Sequence, residues 1–214
     1  MLNNFTEIKD MTEFNLEKRY QIFIHTLNKE LERMFLNQSE FIKCKEGCSY
    51  CCERGEYPFS EIEFQYLMEG YKQLPEEIKT TIKNNIKSIN EQKNTNTEKI
   101  FMYKCPFLIY NRCSVYKNRG IICRTFGLLC EHEDEHLTIP FCHEKGLNYN
   151  KVYDKDLGQI VTEKNGQMLS KTEPKAYRIS RKSIMNLSIA RNLNIEWGES
   201  KTLLDFLNES KEIK

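Results

Sequence analysis

Four cysteines fall within nine residues, Cys44-Lys-Glu-Gly-Cys48-Ser-Tyr-Cys51-Cys52. A core needs no such run of thiols, and the stretch is expected to be a loop that gathers them. Five more follow, at Cys105, Cys113, Cys123, Cys130 and Cys142, for a total of nine. An odd number forbids complete disulfide pairing within one chain. A single buried cysteine is ordinarily a small hydrophobe, a description that does not account for the 44–52 run.

The rest of the composition sets the frame. A length of 214 residues suits one domain with an appendage, and 39% hydrophobic with 29% charged residues suits an ordered chain. A net charge of +1 gives no global attraction to nucleic acid or to a membrane, so neither is expected as a partner. Residues Met1 to Asp10 are polar, and no run approaches the roughly 20 apolar residues of a membrane span. The expected location is the cytoplasm, where thiols stay reduced. There, clustered cysteines bind metal or do redox chemistry rather than form disulfides.

Periodicity predicts a mainly α chain with a small irregular β element, an α+β fold whose cysteine-rich, metal-binding core packs on long helices. Leu16, Tyr20, Phe23, Ile24, Leu27, Leu31, Met34 and Phe35 mark a first helix. Asp10 or Thr12 would cap it, with Glu13 in its first turn. Ser60-Glu-Ile-Glu63 reads as a capping box, and Pro75 as the first residue of a helix striped by Ile78, Ile82, Ile86 and Ile89. Residues 92–99 read as a linker. Short strands are expected at 100–103, 107–110, 113–116 and 137–141, with Asn111-Arg112 as a turn. Helical turns are expected over 119–126, and helices over 180–192 and 199–207. Three regions follow: an N-terminal helix (1–42), a cysteine-cluster region (43–146) and a C-terminal support (147–214), together one compact unit.

Thiolates are soft ligands suited to zinc, copper(I) and iron–sulfur clusters. Cys44-x3-Cys48-x2-Cys51 returns three sulfurs toward one centre. In extended backbone Cys52 points away from Cys51, so the two serve different centres or one of them stands behind the ligands. From Lys104 to Cys130 the charges are all basic (Lys104, Arg112, Lys117, Arg119 and Arg124), an arrangement that favours thiolates. Cys142 is left open as a ligand, and its neighbour His143 reads as a surface histidine.

The chain resembles the YkgJ-type cysteine-cluster family, or CxxCxxCC domain. The likeness rests on Cys44-x3-Cys48-x2-Cys51-Cys52 and on Cys105-Pro106-Phe107-Leu108, Cys113-Ser-Val-Tyr116, Arg119, Cys123-Arg124 and Phe126. It covers about residues 43–130, and it departs where Gly120 and Gly127 replace prolines and where the first gap is three residues. The resemblance implies zinc or iron, including a 4Fe–4S cluster, on Cys44, Cys48, Cys51, Cys52, Cys105, Cys113, Cys123 and Cys130. Related clusters in flagellin lysine N-methylases add a second reading, an iron–sulfur-dependent methyltransferase. A third is a metal-stabilised module that binds a protein partner.

Two other motifs are weighed and set aside. Cys44-x3-Cys48-x-Tyr50-Cys51 fits the radical S-adenosylmethionine pattern, but no alternating strands and helices follow to build its barrel. His132-Glu133-Asp134-Glu135-His136 fits H-E-x-x-H, yet it has no apolar residue to anchor a helix and reads as a charged turn. The aromatics Tyr50, Tyr57, Phe59, Tyr103, Phe107, Tyr110, Tyr116 and Phe126 read as a water-excluding shell around the cysteines.

Overall fold

The structure is a computed structural model that describes residues 14–45 and 47–213. Helix α1, Leu16–Asn37, buries Tyr20, Phe23, Ile24, Leu27 and Leu31 on one face, following their spacing. Its cap is Asn15, whose side chain accepts from the Lys18 amide at 2.9 Å. The expected capping region, Asp10, Thr12 and Glu13, lies outside the described residues. The cysteine loop then leads into one helical turn, α2 (Tyr50–Glu53), and strand β1 (Pro58–Ser60).

Helices α3 (Glu61–Lys72) and α4 (Glu76–Thr95) follow. Pro75 precedes α4 as its cap, and the helix runs on through half of the expected linker. Strands β2 (Leu108–Ile109) and β3 (Arg112–Cys113) form a hairpin. Its turn is Tyr110-Asn111, one residue earlier than expected, with φ of 48° and 58° at the two positions. Residues 100–103 contribute one bridge, Tyr103 to Gly55, instead of a strand.

Helix α5 (Ile121–Thr125) is followed by three small antiparallel hairpins. They pair β4 (Cys130–Glu131) with β5 (Leu137–Thr138), β6 (Tyr153–Asp154) with β7 (Gln159–Ile160), and β8 (Glu163–Lys164) with β9 (Gln167–Met168). The single helix expected over 180–192 is two, α6 (Arg181–Met185) and α7 (Ser188–Asn192). Leu187 is extended between them, and this break turns Ile189 and Ala190 into the core. Arg191 is exposed, and its guanidinium donates to the Asn186 carbonyl across the break at 2.6 Å. Finally β10 (Ser200–Thr202) pairs with β1, and α8 (Leu203–Glu209) starts only after it. The fold is thus mixed α and β, with sheets of two strands each.

Two apolar clusters carry most of the packing. One joins α3, α4 and α8 to Tyr57, Phe59, Tyr103 and Phe107, with Cys105 and Cys113 against its edge. The other lies under α1 and holds Ile62, Ile121, Leu128 and the α6–α7 residues, with Cys130 at its margin.

Between the clusters runs a buried polar keystone. Glu63, fully buried, accepts from the Ser60 amide and hydroxyl at 2.9 and 2.8 Å, completing the predicted capping box. It also accepts from the Ile121 amide at 2.9 Å and from Arg181 at 2.7 and 3.1 Å. One carboxylate therefore fixes the start of α3, the start of α5 and the approach of α6. Arg124, on the following turn of α5, donates to the carbonyls of Lys117 and Arg119 and to Asn28 of α1.

Candidate thiol site

The loop carrying Cys44 and Cys48 turns back on itself. The Cys48 amide donates to the Lys45 carbonyl at 3.0 Å, and Gly47 has φ of 85°, in the left-handed region open to glycine. Cys44 and Cys48 are both exposed residues, and Cys48 opposes ionisation of the Cys44 thiol, which burial pushes up first. Behind Cys44 stands Asn148, fully buried, whose Nδ2 donates to the Cys44 sulfur at 3.2 Å and to the Gly127 carbonyl at 2.8 Å. The Asn148 oxygen accepts from the Lys43 amide at 2.8 Å, so the side chain is locked in orientation.

Gly127 makes this possible. Its φ is 109°, and a Cβ there would stand 3.0 Å from Asn148 Nδ2 and 3.4 Å from the Cys44 sulfur. Gly120, the other departure from the family proline, has a similar explanation: a Cβ would meet the Phe59 ring at 2.7 Å. Its φ of −67° would suit proline, so the bar is space, not conformation.

The remaining cysteines lie deeper. The Cys105 amide donates to the Cys52 carbonyl at 2.8 Å, and Gly55 and Tyr103 exchange backbone bonds at 3.1 and 3.3 Å. These contacts bring the second half of the sequence pattern against the first. Cys51 and Cys52 sulfurs are 3.8 Å apart. The Cys51 thiol is pushed up chiefly by that contact and then by burial. Cys105, Cys113 and Cys123 are pushed up first by burial. Cys123 reaches about 12, with Cys113 and Cys51 adding to the effect. Cys142 is buried, pushed up to about 11, and feels Cys44, Cys48 and Cys51. Cys130 stands apart: its sulfur faces the Glu131 carbonyl at 3.8 Å, and no other cysteine influences it.

The basic segment works in the expected direction but is outweighed. Arg119 lowers the thiols of Cys51, Cys113 and Cys123, and Arg124 that of Cys113, yet the Cys52 contact at Cys51 and burial at Cys113 and Cys123 leave all three raised. The thiols are held protonated, and protonated thiols are poor ligands.

The metal expectation is corrected by the geometry. Among the described residues no group of three or more His, Cys, Asp or Glu side chains is arranged to hold a metal ion. A zinc centre needs its sulfurs about 2.3 Å from one point. Here Cys44 is engaged by Asn148, Cys51 and Cys52 by each other, and Cys130 by a carbonyl in another cluster. A zinc- or iron-chelating site on Cys44, Cys48, Cys51, Cys52, Cys105, Cys113, Cys123 and Cys130 does not fit this arrangement. The iron–sulfur methyltransferase and the metal-stabilised module, which depend on it, do not fit either.

His132–His136 forms the β4–β5 turn, as its polar composition predicts, with Glu133 paired to Lys182 at 2.7 Å. Of the aromatic shell, Tyr57, Phe59, Tyr103 and Phe107 are buried, whereas Tyr110 and Tyr116 are 87% and 61% exposed. Sequence reasoning missed Asn148 and Gly127 as parts of the site. Gly127 was visible only as a departure from proline, and Asn148 carried no signal.

Comparison with family models, curated proteins and solved structures finds no match. The likeness to the cysteine-cluster family therefore rests on the motif residues alone. No helix among the described residues is long and apolar enough to cross a membrane.

Proposed function

We propose that the protein is a dithiol–disulfide exchange protein, with Cys44 and Cys48 as the reacting pair. The observation that carries this reading is the exposed Cys44–Cys48 pair on the turn closed by the Cys48 amide and the Lys45 carbonyl, backed by the Asn148 amide. A donor aimed at sulfur stabilises the thiolate as it forms, and thiolate is the attacking species in exchange. The deeper thiols are poorly placed to compete: Cys51 and Cys52 are neighbours, and an S–S bond of about 2.05 Å between them would close a ring through a peptide bond that prefers to stay trans.

The test is a redox titration of freshly purified protein, with alkylation and peptide mass spectrometry at each poise. Cys44 and Cys48 are expected to disappear together from the alkylated pool, in one two-electron step reversed by dithiothreitol. If both stay alkylatable at every poise, or if the protein purifies with stoichiometric zinc or iron, the exchange reading is overturned.

A further inference from the structure

Beside the thiol pair lies a cluster of rings with cations on both flanks. Tyr50, on α2, meets Phe141 with ring centroids 5.5 Å apart, and Phe141 meets Phe126 at 4.8 Å. All three are partly exposed. The Arg54 guanidinium lies 5.7 Å from the Phe141 ring, and the Lys145 ammonium 5.7 Å from the Tyr50 ring. The short 3-10 helix that carries Phe141 and Lys145 also carries Cys142, which feels the charges of Cys44 and Cys48. Tyr50 is two residues beyond Cys48 in the chain. Lys43 and Lys45 stand on the thiol loop itself, both exposed.

Among the described residues, the acidic groups of this face are few and occupied. Glu144 pairs with Arg54 at 3.7 Å, a long contact between two half-exposed groups. Glu53 accepts from the Ser49 hydroxyl at 2.8 Å. A carboxylate brought by a ligand can compete for Arg54 on favourable terms, and Lys145 pairs with no carboxylate among the described residues.

We propose that the exchange substrate is a small disulfide carrying carboxylates, its apolar body resting on Tyr50, Phe126 and Phe141 and its charges on Arg54 and Lys145. This rests on the exchange reading above and names its substrate class. The chemistry balances without another reactant. The Cys48 thiolate attacks one substrate sulfur, the substrate S–S bond breaks, and the departing thiolate takes up the proton Cys48 released. The Cys44 thiolate then attacks the Cys48 sulfur of the mixed disulfide. The second substrate thiol leaves with the Cys44 proton. One substrate disulfide is reduced to two thiols as the Cys44–Cys48 dithiol is oxidised to a disulfide.

The test compares oxidised glutathione, neutral hydroxyethyl disulfide and cationic cystamine at equal concentration and low salt, scoring the Cys44–Cys48 disulfide by mass spectrometry. The anionic disulfide is expected to react about tenfold faster than the cationic one. That preference is expected to collapse at high salt and to reverse in Arg54→Glu and in Lys145→Glu. The distant exposed Lys87→Glu on α4, an equal change of charge, is expected to keep it. Cys44→Ser is expected to trap Cys48 as the mixed disulfide with glutathione. Equal rates for the three disulfides, or a preference that Lys87→Glu removes as readily, overturn the substrate assignment and leave exchange standing. No Cys44–Cys48 disulfide from any of them overturns both.

Discussion

Asn148 holds the Cys44 sulfur, the Gly127 carbonyl and the Lys43 amide at once, so its loss is felt in two measurements. Asn148→Ala leaves those partners unsatisfied, at about 1–3 kcal/mol for a buried group, readable as a lower denaturant midpoint. It also removes the donor that opposes the effect of burial on the Cys44 thiol. Alkylation of Cys44 is expected to climb about tenfold per pH unit below its raised pKa, and in Asn148→Ala the same climb is expected displaced to higher pH. A profile that does not move would mean the amide leaves the sulfur's chemistry unaltered. Glu63 is the other decisive residue. Glu63→Gln removes the charge facing Arg181 while keeping the shape, and breaking a buried pair in this way costs about 3–5 kcal/mol. Because Glu63 also holds the Ile121 amide, Cys123 on α5 is expected to become more accessible to alkylation in the variant.

At the scale of elements, the two glycines flanking α5 separate space from conformation. Gly120→Ala sets a methyl against the Phe59 ring, an overpacking expected to cost about 1–3 kcal/mol. Shortening the ring in Phe59→Leu should recover part of that loss in a double-mutant cycle. Gly127→Ala is not rescued in the same way, since φ there is 109°. Additive stabilities in the Gly120–Phe59 cycle would count against the contact. The long helices were legible in the sequence because a repeated apolar face needs only local spacing. So was the Ser60–Glu63 box, because its partners are three residues apart. The hairpins between Tyr153 and Met168 were not, since two-residue strands have no periodicity to display. The break at Leu187 escaped notice for a related reason: Ile184 and Ile189 reach the same core only if the helix stops between them. For the thiol site, the cysteines announced their nearness, but not whether their sulfurs converge. That depends on Asn148, more than a hundred residues from Cys44.

For the whole molecule, acid and alkali act through different groups. Glu69 on α3 is pushed up to about 7 by burial and by Glu17 of α1. The folded state therefore holds a proton that the unfolded chain has given up, and stability falls as pH rises from about 4.5 to 7. Glu69→Gln should flatten that slope in urea titrations taken across the interval. The buried thiols repeat the pattern at higher pH. Cys142 at about 11 and Cys123 at about 12, against an ordinary 9.0, retain protons in the folded state, so stability should fall again as pH climbs above 9. Replacing Cys142 by Ala should soften the alkaline loss. A slope unchanged from the parent chain would assign it to other groups.

The pairing of β1 with β10 joins Pro58–Ser60 to Ser200–Thr202, strands far apart in sequence. On a ribosome, the segment that completes this pair emerges only after the whole stretch between the two strands. Cys105 can reach the Cys52 carbonyl earlier, but Tyr57 and Phe59 must wait for Leu203 and Leu204 to complete their packing. During that interval the deep sulfurs lack their cover. The nascent chain, rather than the finished protein, is then the form most open to damage by oxidants, and its exposure is set by the rate of translation.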